Sequence, residues 1–198
     1  MDEGCGLWVF VEQRAGCIAR VTYELLGAGR EMADRLDTGV GAVLLGSDVA
    51  GVADELIASG ADLVYLCEDE RLEPYSTETY VSAMTQLLTR FSPHIVLFGA
   101  TTMGRDLAPR LAARVGTGLI SDCIKLDLNE EGTLLQEVLA FGGEGMLTII
   151  CPEHRPQLAT VRSGVFTRPV PMQRCGETVG VKLSLPDDDG RVKVLEFQ

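Results

Sequence analysis

The chain has 198 residues, of which 46% are hydrophobic and 23% charged, an ordinary globular composition that excludes a disordered chain or a disulfide-built miniprotein. At about 150 residues per domain, this length predicts one full domain and a short appendage. The 29 acidic residues outnumber the 17 Lys and Arg and leave a net charge of −12. Such a charge repels phosphate backbones and anionic lipid surfaces, so nucleic-acid and membrane-surface binding are excluded.

Two features indicate the compartment. Apolar runs such as 146–151 fall far short of the roughly 20 residues that span a bilayer. The acidic N-terminus lacks the basic start and apolar core of a signal peptide, so we expect a soluble, cytoplasmic protein. In that reducing setting we expect free thiols, several of them buried, at Cys5, Cys17, Cys67, Cys123, Cys151 and Cys175.

The first hundred residues alternate short apolar runs with longer segments of helical periodicity, which is typical of an α/β fold with a parallel sheet. The apolar runs predict strands, buried on both faces, at 7–11, 40–45, 62–67 and 95–98. The helical segments are 21–36, 52–58, and one running from a cap at Ser76 to Phe91.

After residue 120 the pattern becomes antiparallel. Alternation at 124–128, a polar turn at 129–132 and a further run at 134–141 predict a hairpin. Gly142, Gly143 and Gly145 then mark a strand break, either a plain sheet corner or a place where a ligand or another backbone approaches. Runs at 146–151 and 158–162 predict added antiparallel strands, and a last strand is expected at 191–197.

The stretch 95–111 predicts a strand, a small-residue turn and a helix, a place where open α/β sheets bind anions. Gly99 and Gly104 have the spacing of a phosphate-binding loop, but Arg105 replaces its lysine and Asp106 its Ser or Thr, which excludes nucleoside triphosphate hydrolysis. The candidate residues for a nucleotide site or a subunit interface are Gly99, Ala100, Thr101, Thr102, Gly104, Arg105 and Asp106.

A plain strand-to-helix turn, with the glycines serving close packing, explains these same residues equally well. Pro109 leaves two positions for the helix start. Either Asp106 is the N-cap, or the helix begins earlier and is kinked.

Other candidate residues carry weaker signals. Cys151 and His154 have metal-like spacing, but the only other histidine is His94, so we expect no metal site. No feature pairs a cysteine with a histidine for nucleophilic catalysis. Arg162 follows the 158–161 run and is either an anion or partner contact or a surface cation.

Several blocks, in this order and at this spacing, resemble the N-terminal domain of the electron transfer flavoprotein alpha subunit. They are residues 8–12, 98–114, 116–119, 121–123, 140–143 and 155–162, and together they extend over almost the whole chain. Two places depart from the family pattern. Val138 and Leu139 stand where an Arg-Pro pair precedes the aromatic-Gly-Gly motif, and Ser163 stands where Thr-Val-Arg is followed by Pro.

The resemblance implies a three-layer α/β/α, Rossmann-like parallel sheet of the adenine-nucleotide alpha hydrolase or universal stress protein type, with added antiparallel strands. It also implies a beta-subunit partner and FAD held mainly by a separate C-terminal domain, which is absent here. The assembled pair would carry electrons between flavin dehydrogenases and a quinone oxidoreductase or another acceptor. Some relatives of this kind bifurcate electrons.

From the resemblance we expect a domain at 1–170 and an extension at 171–198 leading toward the missing flavin domain. The chain is then a fragment, a truncated chain or a domain encoded alone. We expect a non-catalytic scaffold whose FAD belongs to the full heterodimer, with Gly142, Gly143 and Arg162 at the subunit interface. The alternatives are a self-sufficient adenine-nucleotide or flavin-binding module and, third, a thiol enzyme.

Overall fold

A computed structural model of the chain describes residues 5–185. The strands in this span are β1 (Leu7–Phe10), β2 (Gln13–Arg14), β3 (Cys17–Ile18), β4 (Val40–Gly46), β5 (Leu63–Glu68), β6 (Ile95–Gly99), β7 (Leu119–Cys123), β8 (Lys125–Leu128), β9 (Leu134–Ala140), β10 (Gly145–Ile149), β11 (Gln157–Val161) and β12 (Glu177–Gly180). The α-helices are α1 (Arg20–Arg35), α2 (Ala53–Ala58), α3 (Thr77–Phe91) and α4 (Thr102–Val115). Single 3₁₀ turns occur at Ala50–Val52, Glu70–Leu72 and Phe141–Gly143.

Seven strands form one parallel sheet in the order β12-β5-β4-β1-β6-β11-β7. A second sheet, β10-β9-β8, is antiparallel, and β2 and β3 form a small hairpin. The α/β class, the parallel sheet and the extra antiparallel strands predicted from the sequence are confirmed. Among residues 5–185, no helix combines the length and the apolar character that crossing a bilayer requires.

The central strands are apolar because helices cover both faces of the sheet. Every residue of β1, β4 and β6 is buried, as the continuous apolar runs predict. One core packs Leu25 and Leu26 of α1 against the sheet, and the other packs residues of α3 and α4. In the second core the rings of Trp8 and Tyr65 pack in a tilted arrangement with centroids 4.5 Å apart.

The prediction that the 158–162 run adds an antiparallel strand is wrong. It forms β11, which lies between β6 and β7 and runs parallel to both. All five of its residues are buried, because an interior strand is covered on both faces. The run at 146–151 does form an antiparallel strand, β10.

Three elements were not predicted. The strands of the β2–β3 hairpin have only two residues each. The edge strands contain polar residues, and β7 has one exposed position and β12 has three. β12 joins the main sheet beside β5. The division near residue 170 stays a prediction, and the predicted strand at 191–197 lies outside the described residues.

The helix starts resolve the alternatives around Pro109. α4 begins at Thr102, so of the two alternatives the earlier start is correct, Asp106 is not the N-cap, and Pro109 lies inside the helix. Thr101 is the N-cap residue, and its hydroxyl accepts a hydrogen bond from the Gly104 N–H. Ser76 occupies the N-cap position of α3 as predicted, but its side chain makes no capping hydrogen bond.

Candidate functional site

A crevice lies at the carboxyl ends of β1 and β6. β1 and β6 are neighbours in the sheet. The chain passes from β1 to β4 on one side of this pair, and from β6 to β7 and β11 on the other side. β1 and β6 therefore form the topological switch point of the sheet. Ligands of open α/β sheets bind at such points. The cavity there measures about 690 Å³. Its lining includes Glu12 after β1, Thr101 to Met103 after β6, and the rings of Tyr75 and Tyr80.

The N-terminus of α4 faces this crevice but already has a carboxylate against it. The Thr101 hydroxyl donates to Glu12 Oε2 at 2.5 Å while accepting from the Gly104 N–H at 3.1 Å. Burial raises the pKa of the Glu12 carboxyl above its ordinary value, and the Thr101 hydrogen bond opposes that shift. Glu12 therefore lies where an anionic ligand would meet the positive end of the helix.

A second carboxylate lies one turn into α4. Asp106 accepts hydrogen bonds from the Tyr75 hydroxyl at 2.7 Å and from the Thr77 hydroxyl at 2.5 Å. Burial, followed by the hydrogen bond to Asp106, raises the pKa of Tyr75, so its hydroxyl stays protonated and donates. The crevice is lined by three carboxylates, those of Glu12, Glu73 and Asp106, and by one guanidinium, that of Arg14. These residues do not fit the phosphates of a nucleotide or the pyrophosphate of FAD.

On the other side of α4 lies a cluster that we call the arginine fork, formed by Arg105, Asp122 and Arg162. Asp122 Oδ2 accepts from Arg162 Nη2 at 2.6 Å, and Oδ1 accepts from Arg162 Nε at 3.4 Å and from Arg105 Nη2 at 3.2 Å. The hydrogen bond from Arg162 is the main reason that the pKa of Asp122 lies below its ordinary value. Two cations on one anion leave a net positive charge at this place.

The seven candidate residues of the strand-to-helix turn do not form one site. Thr101, Thr102 and Asp106 line the crevice, whereas Arg105 belongs to the fork. The two glycines serve close packing. A Cβ on Gly104 would lie 1.9 Å from the Gly99 carbonyl oxygen, and one on Gly99 would lie 2.7 Å from Val21 Cγ1. The Ala100 N–H donates to the Val161 carbonyl at 2.7 Å, which holds the turn beside β11.

The predicted strand break is a surface feature. Gly142 and Gly143 have φ of 71° and 101° in the 3₁₀ turn between β9 and β10, a backbone conformation that favours glycine. Large apolar side chains surround this turn. Those exposed on the hairpin and just after it are Leu139 (41%), Phe141 (81%), Met146 (65%), Leu147 (46%) and Ile150 (45%). We call these five residues the hairpin patch.

The buried thiols are not candidate nucleophiles. Burial is the main reason that the pKa values of three buried cysteines rise, to about 11 for Cys5 and about 12 for Cys67 and Cys123, so all three stay protonated. Cys17 and Cys175 are exposed and Cys151 is half-buried. Within residues 5–185, no three side chains of His, Cys, Asp or Glu gather as a metal site would require.

Sequence reasoning assigned no role to Glu12, Tyr75 or Asp122. The switch-point rule would have identified Glu12, which lies two residues beyond β1 in the same relation as Thr101 to β6. Asp122 could be identified only by predicting that β7 lies beside β11. Tyr75 could not be identified from periodicity, because it follows a 3₁₀ turn that is too short to show any.

The fold and the switch-point crevice define an α/β domain of the doubly wound, Rossmann-like class. The chain matches the electron transfer flavoprotein domain over residues 7–186, and it belongs to that family. It is 43% identical over 198 residues to the electron transfer flavoprotein subunit alpha of Thermoanaerobacterium thermosaccharolyticum, covering 100% of this chain and 60% of that protein. It is 46% identical over 193 residues to the protein FixB of Clostridium saccharobutylicum, covering 97% of this chain and 58% of that protein.

A third relative carries a different name. The acryloyl-CoA reductase electron transfer subunit beta of Anaerotignum propionicum is 35% identical over 217 residues, covering 96% of this chain and 59% of that protein. The chain thus spans about three fifths of the length of the relatives that it matches.

Proposed function

We propose that this chain is the N-terminal domain of an electron transfer flavoprotein alpha subunit and that it serves as the scaffold on which a beta subunit docks. It is non-catalytic by itself. In the assembled pair FAD is held by another part of the protein, and the pair carries electrons in the cytoplasm between flavin dehydrogenases and a quinone oxidoreductase or another acceptor. The flavin supplies the redox chemistry, and this domain fixes the position of the flavin relative to its partner.

The observation that carries the proposal is the hairpin patch on a member of this family. The chain has 29 acidic and 17 basic residues, yet five large apolar side chains are exposed around one turn. Leu139 and Met146 are paired across the hairpin and share one of its faces, and Phe141 lies in the turn that joins their strands. Exposed apolar side chains grouped in this way are typical of a protein interface. Lys125 and Glu137, which are paired at 2.6 Å on β8 and β9, contribute to such a rim.

We take the partner to be the beta subunit, because relatives of this chain carry the names of electron transfer subunits and therefore work in assemblies. The test is co-expression with the beta subunit of the same organism, followed by size-exclusion chromatography. The double variant Phe141→Ser, Met146→Ser removes two side chains that are 81% and 65% exposed. We expect it to lose co-elution or to bind about 10-fold more weakly or worse, because apolar residues at interface centres carry most of the affinity.

A matched control is available in the same chain. Val170 and Met172 are 81% and 60% exposed but lie outside the hairpin, so Val170→Ser, Met172→Ser removes comparable apolar surface. This variant is expected to co-elute like the unmodified chain. Equal weakening by both double variants would contradict the assignment of the interface to the hairpin. Absence of a complex with the unmodified chain would contradict the docking proposal itself.

One observation favours a second candidate function, a self-sufficient nucleotide- or flavin-binding module. The crevice lies at the switch point, and about 690 Å³ is within the range of small-molecule sites. Its three carboxylates and the Glu12–Thr101 hydrogen bond count against a phosphate-bearing ligand. The scaffold therefore has the stronger support.

A further inference from the structure

We infer that the arginine fork receives a carboxylate of the docking partner, so that an Asp or Glu side chain of the beta subunit binds between Arg105 and Arg162. This inference rests on the proposed function, because the acidic side chain belongs to the partner that the hairpin patch would bind. It adds to that proposal the chemistry of the partner surface and the residues that recognise it.

The fork is held in place by its surroundings. Asp122 has a φ of 61°, a conformation that is uncommon for a residue with a side chain, and its N–H donates to the buried Thr160 hydroxyl at 2.9 Å. The Arg162 N–H donates to the Cys123 carbonyl at 2.9 Å, which fixes the end of β11 against β7. Asp122 is therefore a positioning residue that orients two guanidiniums toward the same place.

The charges of the fork favour the binding of an anion. Each guanidinium carries five N–H donors, whereas Asp122 supplies one negative charge for two positive ones. The side chains of Arg105 and Arg162 are 60% and 43% exposed, so both reach the surface. The acidic crevice and the fork lie on opposite sides of the first turn of α4, with Asp106 on the crevice side and Arg105 on the fork side. A partner surface opposite the fork must therefore be acidic.

A carboxylate from a protein fits better than a free ion. Exposed ion pairs gain little in water, and a fork this open holds a small anion weakly. The hairpin patch lies close by, because the Ile124 N–H, two residues after Asp122, donates to the Glu137 carbonyl of β9 at 2.8 Å. A partner that covers the patch removes water from the fork and strengthens a charge-assisted hydrogen bond there.

The test uses the complex of the full chain with the beta subunit and compares dissociation constants at low and high salt. Arg162→Gln and Arg105→Gln are expected to weaken binding by about 10-fold to 100-fold and to reduce its salt dependence. Arg110→Gln is the matched control, since it removes one positive charge from the same helix, where Arg110 pairs with Glu78 on the acidic side. It is expected to change binding by less than about 3-fold. Thermal melts of each variant establish that it is folded.

Carbodiimide coupling identifies the partner group directly. In Arg162→Lys the introduced amine is expected to form an amide with an Asp or Glu of the beta subunit, which peptide mass spectrometry locates. Unchanged affinity and salt dependence in both Arg→Gln variants would contradict the role proposed for the fork while leaving the hairpin proposal standing. Failure of the unmodified chain to bind the beta subunit would overturn both.

Discussion

At the scale of single residues, Glu12 decides what the switch-point crevice accepts. Its carboxylate accepts from the Thr101 hydroxyl at the start of α4, and its pKa is raised by burial. A carboxyl group whose pKa is higher in the folded chain favours folding when it is protonated. Stability from this group is therefore complete at pH values below its ordinary pKa of 4.5 and is lost as the pH rises through the raised value.

The first prediction follows for Glu12→Gln, which keeps an acceptor for the Thr101 hydroxyl but carries no charge. We expect this variant to melt at a higher temperature than the unmodified chain at pH 7. We expect the two melting temperatures to converge at pH values below 4.5, where Glu12 is neutral in both states. Differential scanning fluorimetry across the pH range measures this. A lower melting temperature for the variant at pH 7 would show that the buried charge stabilises the fold.

At the same scale, the sequence identified residue types better than their partners. Arg105, Arg162 and Asp106 were all singled out, but they belong to two places separated by α4. Spacing along the chain predicts which side chains share a loop. It does not predict toward which neighbouring strand each one turns, because that depends on β7 and β11 lying side by side.

At the scale of elements, the contact between β6 and α4 explains why the turn contains glycines. The helix starts so close to the strand that a Cβ on Gly104 would lie 1.9 Å from the Gly99 carbonyl oxygen. This oxygen belongs to the backbone and cannot rotate away. The contact therefore admits a side chain at Gly104 only if the whole first turn of α4 moves.

Gly104→Ala is accordingly expected to destabilise the fold by about 1–3 kcal/mol or more, the usual cost of overpacking. For a chain of this size that lowers the melting temperature by about 2–4 °C for each kcal/mol. Gly51→Ala is the matched control, because a Cβ there meets nothing within 4 Å. It is expected to leave stability unchanged or raise it by about 0.4–1 kcal/mol. Equal melting temperatures for the two variants would show that α4 adjusts at little cost.

Elements also differ in how far the sequence predicts them. β1, β4 and β6 were predicted because both of their faces are buried and their sequences are continuously apolar. β7 has no continuous apolar run, because Ser121 is exposed and Asp122 is polar, so its sequence is typical of a loop. β11 was found, but its direction was wrong, since a buried apolar run has the same composition in a parallel or an antiparallel pair.

At the scale of the whole molecule, charge is distributed so that the usual ligand position of the fold is acidic. The net charge of −12 repels phosphates at long range, and the three carboxylates of the crevice repel them locally. The positive fork lies on the far side of α4, beside the hairpin patch. This distribution of charge supports the docking of a protein partner that we propose over the binding of a phosphate-bearing ligand.

The last prediction is that the purified chain retains no flavin. After incubation with excess FAD and removal of the unbound flavin, the visible absorption spectrum is expected to show no bound chromophore, because the pyrophosphate would lie against Glu12 and Asp106. Titration calorimetry with AMP and ATP is expected to show no saturable heat for the same reason. The incubation with FAD is repeated after the chain has been mixed with its beta subunit. Flavin retained only in the mixture would show that binding needs both subunits, whereas flavin retained by the chain alone would show that the domain binds it without a partner. Stoichiometric flavin in the chain by itself would contradict the scaffold proposal and favour the self-sufficient module, with the turn at 99–106 as the first place to mutate.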